Sequence, residues 1–304
     1  MKKHAYLIIA NRNFKQVELL VNTLDDARND IYILIDKKAQ ETRPKFKCQY
    51  SNVYILQEIP VFWGDFSQIT AEVNLFKAAA SNADVEYSYY HLLSGLDLPL
   101  VSQDKMHEFF AQHPNKQFVT LSAMGNQRQL HMRLRKHLFV KNFRVSGNII
   151  KTSFFKIFRK FENAYLSFTT HESDHIGFGS NWVTLSNEFV QKIVKKSNLD
   201  QISEVFGGGF LVDELFIPYE LKKFHMENQI YHADPVHDKC DEFQGNLCYI
   251  NWWDGSPLTF TKDNYNELLR AKEAGHFFAR KFDIKIDKKI IEMVLEDVKP
   301  RLHN

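Results

Sequence analysis

A doubly wound α/β fold is predicted by three observations: an apolar run at residues 6–10, an amphipathic stretch directly after it, and a second apolar run, DIYILID, at 30–36. Runs that are apolar on both faces read as parallel strands covered by helices on either side. With 304 residues, 44% hydrophobic and 25% charged, the chain has the composition to build one large core, so a single domain spanning 1–304 is expected.

The elements follow in order. Residues 14–24 carry Phe14, Val17, Leu20, Val21 and Leu24 at helical spacing, which makes the opening β-α-β. A third strand is expected at 52–56, a helix at 67–81, and an aromatic strand at 87–93 that breaks at Ser94-Gly95. The turn 94–100 then lies at a strand's C-terminal end, the edge where open α/β sheets bind ligands. Residues 104–113 read as another helix. Further on come a glycine-rich loop entering a strand at 177–183, a helix at 187–196, a flexible hinge at Gly207-Gly208-Gly209 and an apolar helix at 212–221. The aromatic segment 249–253 and helices at 263–272 and 290–298 close the chain.

Charge is segregated. Residues 109–161 contain no Asp or Glu but carry eleven Lys and Arg, interleaved with Phe139, Phe143, Phe154, Phe155 and Phe158. Two readings stay open: a surface for anionic lipid headgroups or a pyrophosphate-linked acceptor, or a basic helical insertion that is simply solvated. No nucleic-acid recognition motif accompanies the basic residues, and the net charge is only +2, so nucleic acid is not an expected partner.

Cys48, Cys240 and Cys248 form no CxxC pair and cannot all be bridged, which argues for a reducing compartment and a cytoplasmic location. The apolar run after the two N-terminal lysines is too short for a signal sequence, and no window approaches the ~20 apolar residues of a spanning helix, so membrane contact is expected to be peripheral. His171-Glu172-Ser173-Asp174-His175 spells the HExxH zinc-protease pattern. Its weak helix formers and the failure of the longer pattern at Phe178 point instead to a polar loop or a lining of an acceptor cleft.

Several segments, in order, resemble the core-2/I-branching N-acetylglucosaminyltransferase family: AYLIIANRN, DIYILIDKKA, YHLLSGLDLPL, GFGSNWVTLSNEFV, LVDELFIPYEL and GHFFARKFD. The resemblance covers nearly the whole chain. It implies a GT-A-like fold with a Rossmann-type mixed central sheet flanked by helices, a UDP-sugar donor (most simply UDP-GlcNAc, with UDP-xylose used in related branches), a glycan or lipid-linked glycan acceptor, inversion, and no metal cofactor. Lacking the animal enzymes' anchor and extra disulfides, the chain is similar to a bacterial-type version serving surface polysaccharide synthesis.

Carried over residue by residue, the resemblance puts the catalytic base at Glu214, which is set among Leu211, Val212, Leu215 and Phe216 where a bare charge is unexpected. Lys281, with Arg280 beside it, falls where the donor diphosphate is held. Leu258 stands where the animal enzymes have a second phosphate-binding Arg, so Lys262 or Arg280 must compensate, or a metal must be used. Ala10, Asn11, Asp36 and Asp97 match donor nucleotide and sugar positions; the two acids equally suit helix caps or turns. Trp252 matches an acceptor-stacking tryptophan, with Trp253 and Asp254 adjoining. A non-catalytic membrane-surface module is the rival reading, with the basic segment as its working part.

Overall fold

The computed structural model describes residues 2–123, 127–134, 160–161 and 177–298. Its centre is a five-stranded sheet of order β3-β2-β1-β4-β8, built from β1 (Lys3–Ala10), β2 (Asn29–Ile35), β3 (Asn52–Ile55), β4 (Tyr87–Ser94) and β8 (Thr184–Ser186). The first four run parallel and β8 is antiparallel to β4. The mixed, Rossmann-type α/β sheet expected from the sequence is thus the sheet observed.

The period-2 alternation of the strands sorts their side chains into two cores. Tyr6, Ile8 and Ala10 of β1 and Ile31, Ile33 and Ile35 of β2 face one layer, where α1 (Phe14–Thr23) and α9 (Lys288–Val298) pack. Ala5, Leu7, Tyr32 and Leu34 face the other, against α2 (Ser67–Ala80), α5 (Asn187–Ile193), α6 (Lys196–Phe206) and α7 (Asp213–Lys223). Leu7 and Leu34 are fully enclosed, so truncating either to Ala costs ~2–5 kcal/mol. The remaining helices are α3 (Gln103–Gln112), α4 (Gln127–Leu134) and α8 (Tyr265–Glu273).

A second sheet of order β5-β10-β9 sits at the C-terminal edge of the first, formed by β5 (Leu98–Pro99), β10 (Phe278–Arg280) and β9 (Cys248–Ile250). Short strands β6 (Leu121–Ser122) and β7 (Phe178–Gly179) pair with each other. The turn after β4 brings β5 to β10, and the Phe282 amide donates to the Leu96 carbonyl at 2.9 Å. Residues 281–283 therefore arrive beside the ends of β1 and β4, far in sequence from both.

Three details differ from the sequence expectation. The helix expected at 187–196 stops at Ile193, and α6 begins at Lys196, a helix the glycine triplet after it had hidden. That triplet is a tight packing point: a side chain on Gly209 would meet the Arg133 carbonyl at 2.7 Å and Val212 Cγ1 at 2.4 Å. The acid-free stretch does not begin as an insertion, because Phe110, Phe118 and Val119 are core residues. Residues 135–159 of that stretch, and the HExxH histidines His171 and His175, lie outside the described residues. Cys48, Cys240 and Cys248 are free thiols. Among the described residues no helix is long and apolar enough to cross a membrane.

Candidate active site

The C-terminal ends of β1, β4 and β10 converge on one cationic group. Asn13 takes a left-handed conformation after β1 and donates from Nδ2 to Asp283 Oδ1 at 2.8 Å. Gln16, buried in the first turn of α1, donates to the carbonyls of Gly95 (3.3 Å) and Phe282 (3.1 Å) and accepts from the Ile284 amide at 2.8 Å. One glutamine thus ties three chain segments together. Gly95 is required there, since a Cβ would lie 2.8 Å from Val17 Cγ2.

On this frame stand Arg12, Arg280 and Lys281. The Arg12 guanidinium lies 3.6 Å from Asp283. Arg280 Nε is 3.5 Å from Asp97 Oδ1, and its guanidinium carbon sits 4.4 Å over the Trp182 ring. Burial, then the neighbouring Arg12 and Arg280 charges, push the Lys281 ammonium below the usual lysine range, against the opposing pull of Asp283. Arg12 Nε and Arg280 Nη1 are buried without hydrogen-bond partners among the described residues. Three cations held close together, with donors unspent, suit a polyanion.

Glu214 stands in the first turn of α7, where the helix dipole favours an anion. Its carboxylate pairs with Arg133 of α4. Arg133 also donates to the Leu211 carbonyl at 3.2 Å and lies 4.8 Å over the Phe178 ring, so the partner is held from three sides. Pro218, one turn on, lacks the N–H that would bond the Glu214 carbonyl, and its ring packs where a side chain on Gly179 would clash at 2.9 Å. Glu214 keeps 40% of its side chain exposed, whereas Asp213 beside it is buried. Burial first, then the Glu214 charge, pushes the Asp213 carboxyl up to about 7.

The carboxylate group and the cationic group are joined by two consecutive residues. Asn181 Nδ2 donates to Asp213 Oδ2 at 3.3 Å, and the next residue, Trp182, carries the Arg280 guanidinium on its ring. Asp213 and Arg280, the sequence neighbours of Glu214 and Lys281, therefore contact consecutive residues of the loop between β7 and β8.

The other sequence candidates fall as follows. Asp97 is fully buried, and accepts from the Ser94 amide at 2.7 Å and the Ser94 hydroxyl at 2.9 Å, so it closes its turn and faces Arg280; burial holds it above the usual carboxylate range despite that cation. Asp36 accepts from the amides of Lys38 (2.9 Å) and Val61 (3.2 Å) and from Lys38 Nζ (2.7 Å), again a turn-closing set. Ala10 is buried at the end of β1 and Asn11 is exposed beyond it. Trp252 is 42% exposed, Trp253 packs edge-on to Tyr249 at 5.9 Å, and exposed Asp254 bonds Asn251. Lys262 starts the short 3-10 turn before α8, with its amide on Asp287.

Sequence reasoning missed Arg12, Arg133, Trp182 and Asn181. Arg12 was in plain view one residue past Asn11, and Trp182 inside the quoted GSNW; Arg133 was concealed among many basic residues of the acid-free stretch.

A mixed Rossmann-type sheet thus carries cations and carboxylates at its C-terminal edge, where open α/β sheets bind ligands. The profile of the family described as Core-2/I-Branching enzyme matches residues 4–268, and the chain belongs to that family. Two curated relatives are each named Xylosyltransferase oxt. The one from Drosophila pseudoobscura pseudoobscura is 22% identical over 301 residues, and the one from Drosophila melanogaster 21% over 305. Each match takes in 94% of this chain but 32% of the relative, so the chain spans about a third of their length. The crystal structure of mouse Xyloside xylosyltransferase 1, apo form, superimposes over 92% of this chain and 97% of its own at 10% identity, with a TM-score of 0.37.

Proposed function

We propose that the chain transfers a sugar from a UDP-sugar to a hydroxyl of a glycan acceptor with inversion, Glu214 acting as the base. The acceptor hydroxyl gives its proton to the Glu214 carboxylate as its oxygen attacks the anomeric carbon. The bond from that carbon to the diphosphate oxygen breaks, and UDP leaves. A base in this role supplies roughly 10²–10⁴ in rate.

Charge grows on the departing diphosphate, and preorganised cations aimed at it lower the barrier because they need not reorganise during the reaction. Lys281, Arg280 and Arg12 fill that role, Arg12 making up for the Arg that Leu258 replaces. With three cations present, the reaction needs no divalent metal. Ala10, Asn11, Asp36 and Asp97 frame the donor edge, and Trp252 with Trp253 and Asp254 offers the acceptor an aromatic face.

The observation that supports this reading is that the consecutive residues Asn181 and Trp182 contact Asp213, the neighbour of Glu214, and Arg280, the neighbour of Lys281. Donor identity divides into two readings. The names of the curated relatives favour UDP-xylose; the resemblance of the sequence motifs implies UDP-GlcNAc. A surface-polysaccharide acceptor, a lipid carrier and a peripheral membrane position belong to the same proposal.

The test is UDP release from a panel of UDP-sugars, with and without EDTA. Turnover of one donor that survives EDTA is expected, and Glu214→Gln should abolish it while leaving UDP binding intact. A folded Glu214→Gln protein with near-normal turnover refutes the base; loss of turnover on chelation refutes metal independence.

A further inference from the structure

Behind Glu214 lies a second acidic residue that the reaction above does not use. Glu72 on α2 is 1% exposed, and Gln68, one helical turn before it on the same face, donates from Nε2 to Asp213 Oδ2 at 2.9 Å. The Gln68 amide is locked in that direction, because its oxygen accepts the Gly64 amide. Asn181 supplies the second donor to the same Asp213 oxygen. The other oxygen, Asp213 Oδ1, and Glu72 Oε2 are both buried with no hydrogen-bond partner among the described residues.

Two ionised carboxylates in such a place are not tolerable: a buried unpaired charge costs several kcal/mol, and like charges sharing a site make one of them bind a proton. The surroundings offer little relief. Arg133 from α4 is engaged with Glu214, and Asp238, half-buried beyond Glu214, adds negative charge. Glu220 and Lys223 on α7 are taken up by Asn198. Of the other elements against α2, β1 and β4 bring His4 and His91, which bond each other, and β2 brings Asp30, which pairs with Lys3. Glu188 and Lys192 of α5 pair together at 3.0 Å, and β7 has no titratable side chain.

We propose that Glu72 and Asp213 share one proton and together act as positioning residues for Glu214, fixing the first turn of α7 against α2. With the proton in place, one carboxyl donates to the other and the turn is held. Without it, two charges repel within an apolar layer and the turn that carries the base is displaced. The proton affinities agree: burial and then Asp213 raise Glu72 well above the carboxylate range, and Asp213 is itself raised. The direction follows: groups whose folded proton affinity is raised give stability at low pH that is lost as pH rises through their folded values.

The inference rests on Glu214 being the base, and the experiment separates the two. Wild type, Glu72→Gln, Glu72→Leu and Glu214→Gln are compared by UDP release from UDP-xylose and UDP-GlcNAc between pH 5.5 and 9.5, and by thermal melting over the same range. Wild-type kcat should fall on an alkaline limb. Glu72→Gln, whose amide donates to Asp213 at every pH, should lose that limb, and Glu72→Leu should lower kcat about tenfold with donor KM unchanged. The melting temperature of Glu72→Gln relative to wild type should climb as pH rises. A wild-type pH profile in Glu72→Gln, a melting difference that is constant with pH, or equal losses in the Gln and Leu variants overturns the inference. Activity retained in Glu214→Gln overturns the reading beneath it instead, while the melting comparison still decides the proton-sharing pair.

Discussion

The two sides of the site are built on opposite principles. The cationic side, Arg12, Arg280 and Lys281, rests on Asn13, Gln16 and Asp97, which bond backbone and carboxylate partners, and leaves buried donors of Arg12 and Arg280 unpaired among the described residues. The carboxyl side rests on a helix start whose buried acids, Asp213 and Glu72, each leave an oxygen unpaired. Arginine donors stay charged and can be satisfied only by an acceptor, whereas unpaired buried acids respond to protonation. The difference teaches that, in the reaction proposed above, the charges that would hold the diphosphate and the one that would take a proton have different surroundings: fixed cations in the first, buried titratable acids in the second.

Four measurements break or sharpen that contrast. The largest effect is expected from Glu214→Gln, with kcat down roughly 10²–10⁴ and UDP affinity intact. Equal losses in kcat and UDP affinity would merge the two sides into one. Next, Lys281→Ala should cost about 10²–10³ in kcat/KM for the donor, with Arg12→Ala weaker in the same direction, both read by steady-state kinetics. A normal Arg12→Ala protein would remove that residue from the cationic side.

Third, Asp97→Ala should destabilise the fold by about 3 kcal/mol, read by denaturant unfolding, because it strands the Arg280 charge beside a buried turn. A loss of donor binding without loss of stability would instead assign Asp97 to the ligand. The mildest effect is expected at acid pH. His4, His91 and His107 are buried in one cluster between β1, β4 and α3, with His4 Nδ1 3.0 Å from His91 Nε2. Burial lowers all three, His107 to about 4. Their contribution to stability is complete above about 6.5 and is lost as pH falls toward the folded values. Melting temperature should therefore drop between pH 6.5 and 4, and His107→Gln should blunt the drop. A Glu72→Gln variant leaves this acid limb unchanged if the two titrating regions are independent.

Much of the fold was legible in the sequence. Residues 6–10 and 30–36 could be read because a strand covered on both faces must be apolar throughout, and β1 and β2 are buried almost end to end. Short strands such as β5 and β10 were illegible: two or three residues carry no periodicity, and they exist only because the end of β10 is pulled to the β4 turn by Leu96 and Gln16. Glu214 and Arg280 were named from motifs, but what each touches was not, since Arg133 and Trp182 are brought to them through space.

What the sequence determined by itself was the class of fold, the order of most of its elements and some of the charged residues at the sheet's edge, Arg280, Lys281 and Glu214 among them, because hydrophobic period and local motif are properties of neighbouring positions. Only the tertiary structure decided which charges meet. Asn181 and Trp182 reach Asp213 and Arg280 across tens of residues of chain, and Gln68, one turn before Glu72, reaches Asp213 through the packing of α2 on α7. Burial and the sharing of a proton are properties of a folded interior, set by packing that no local stretch of residues encodes.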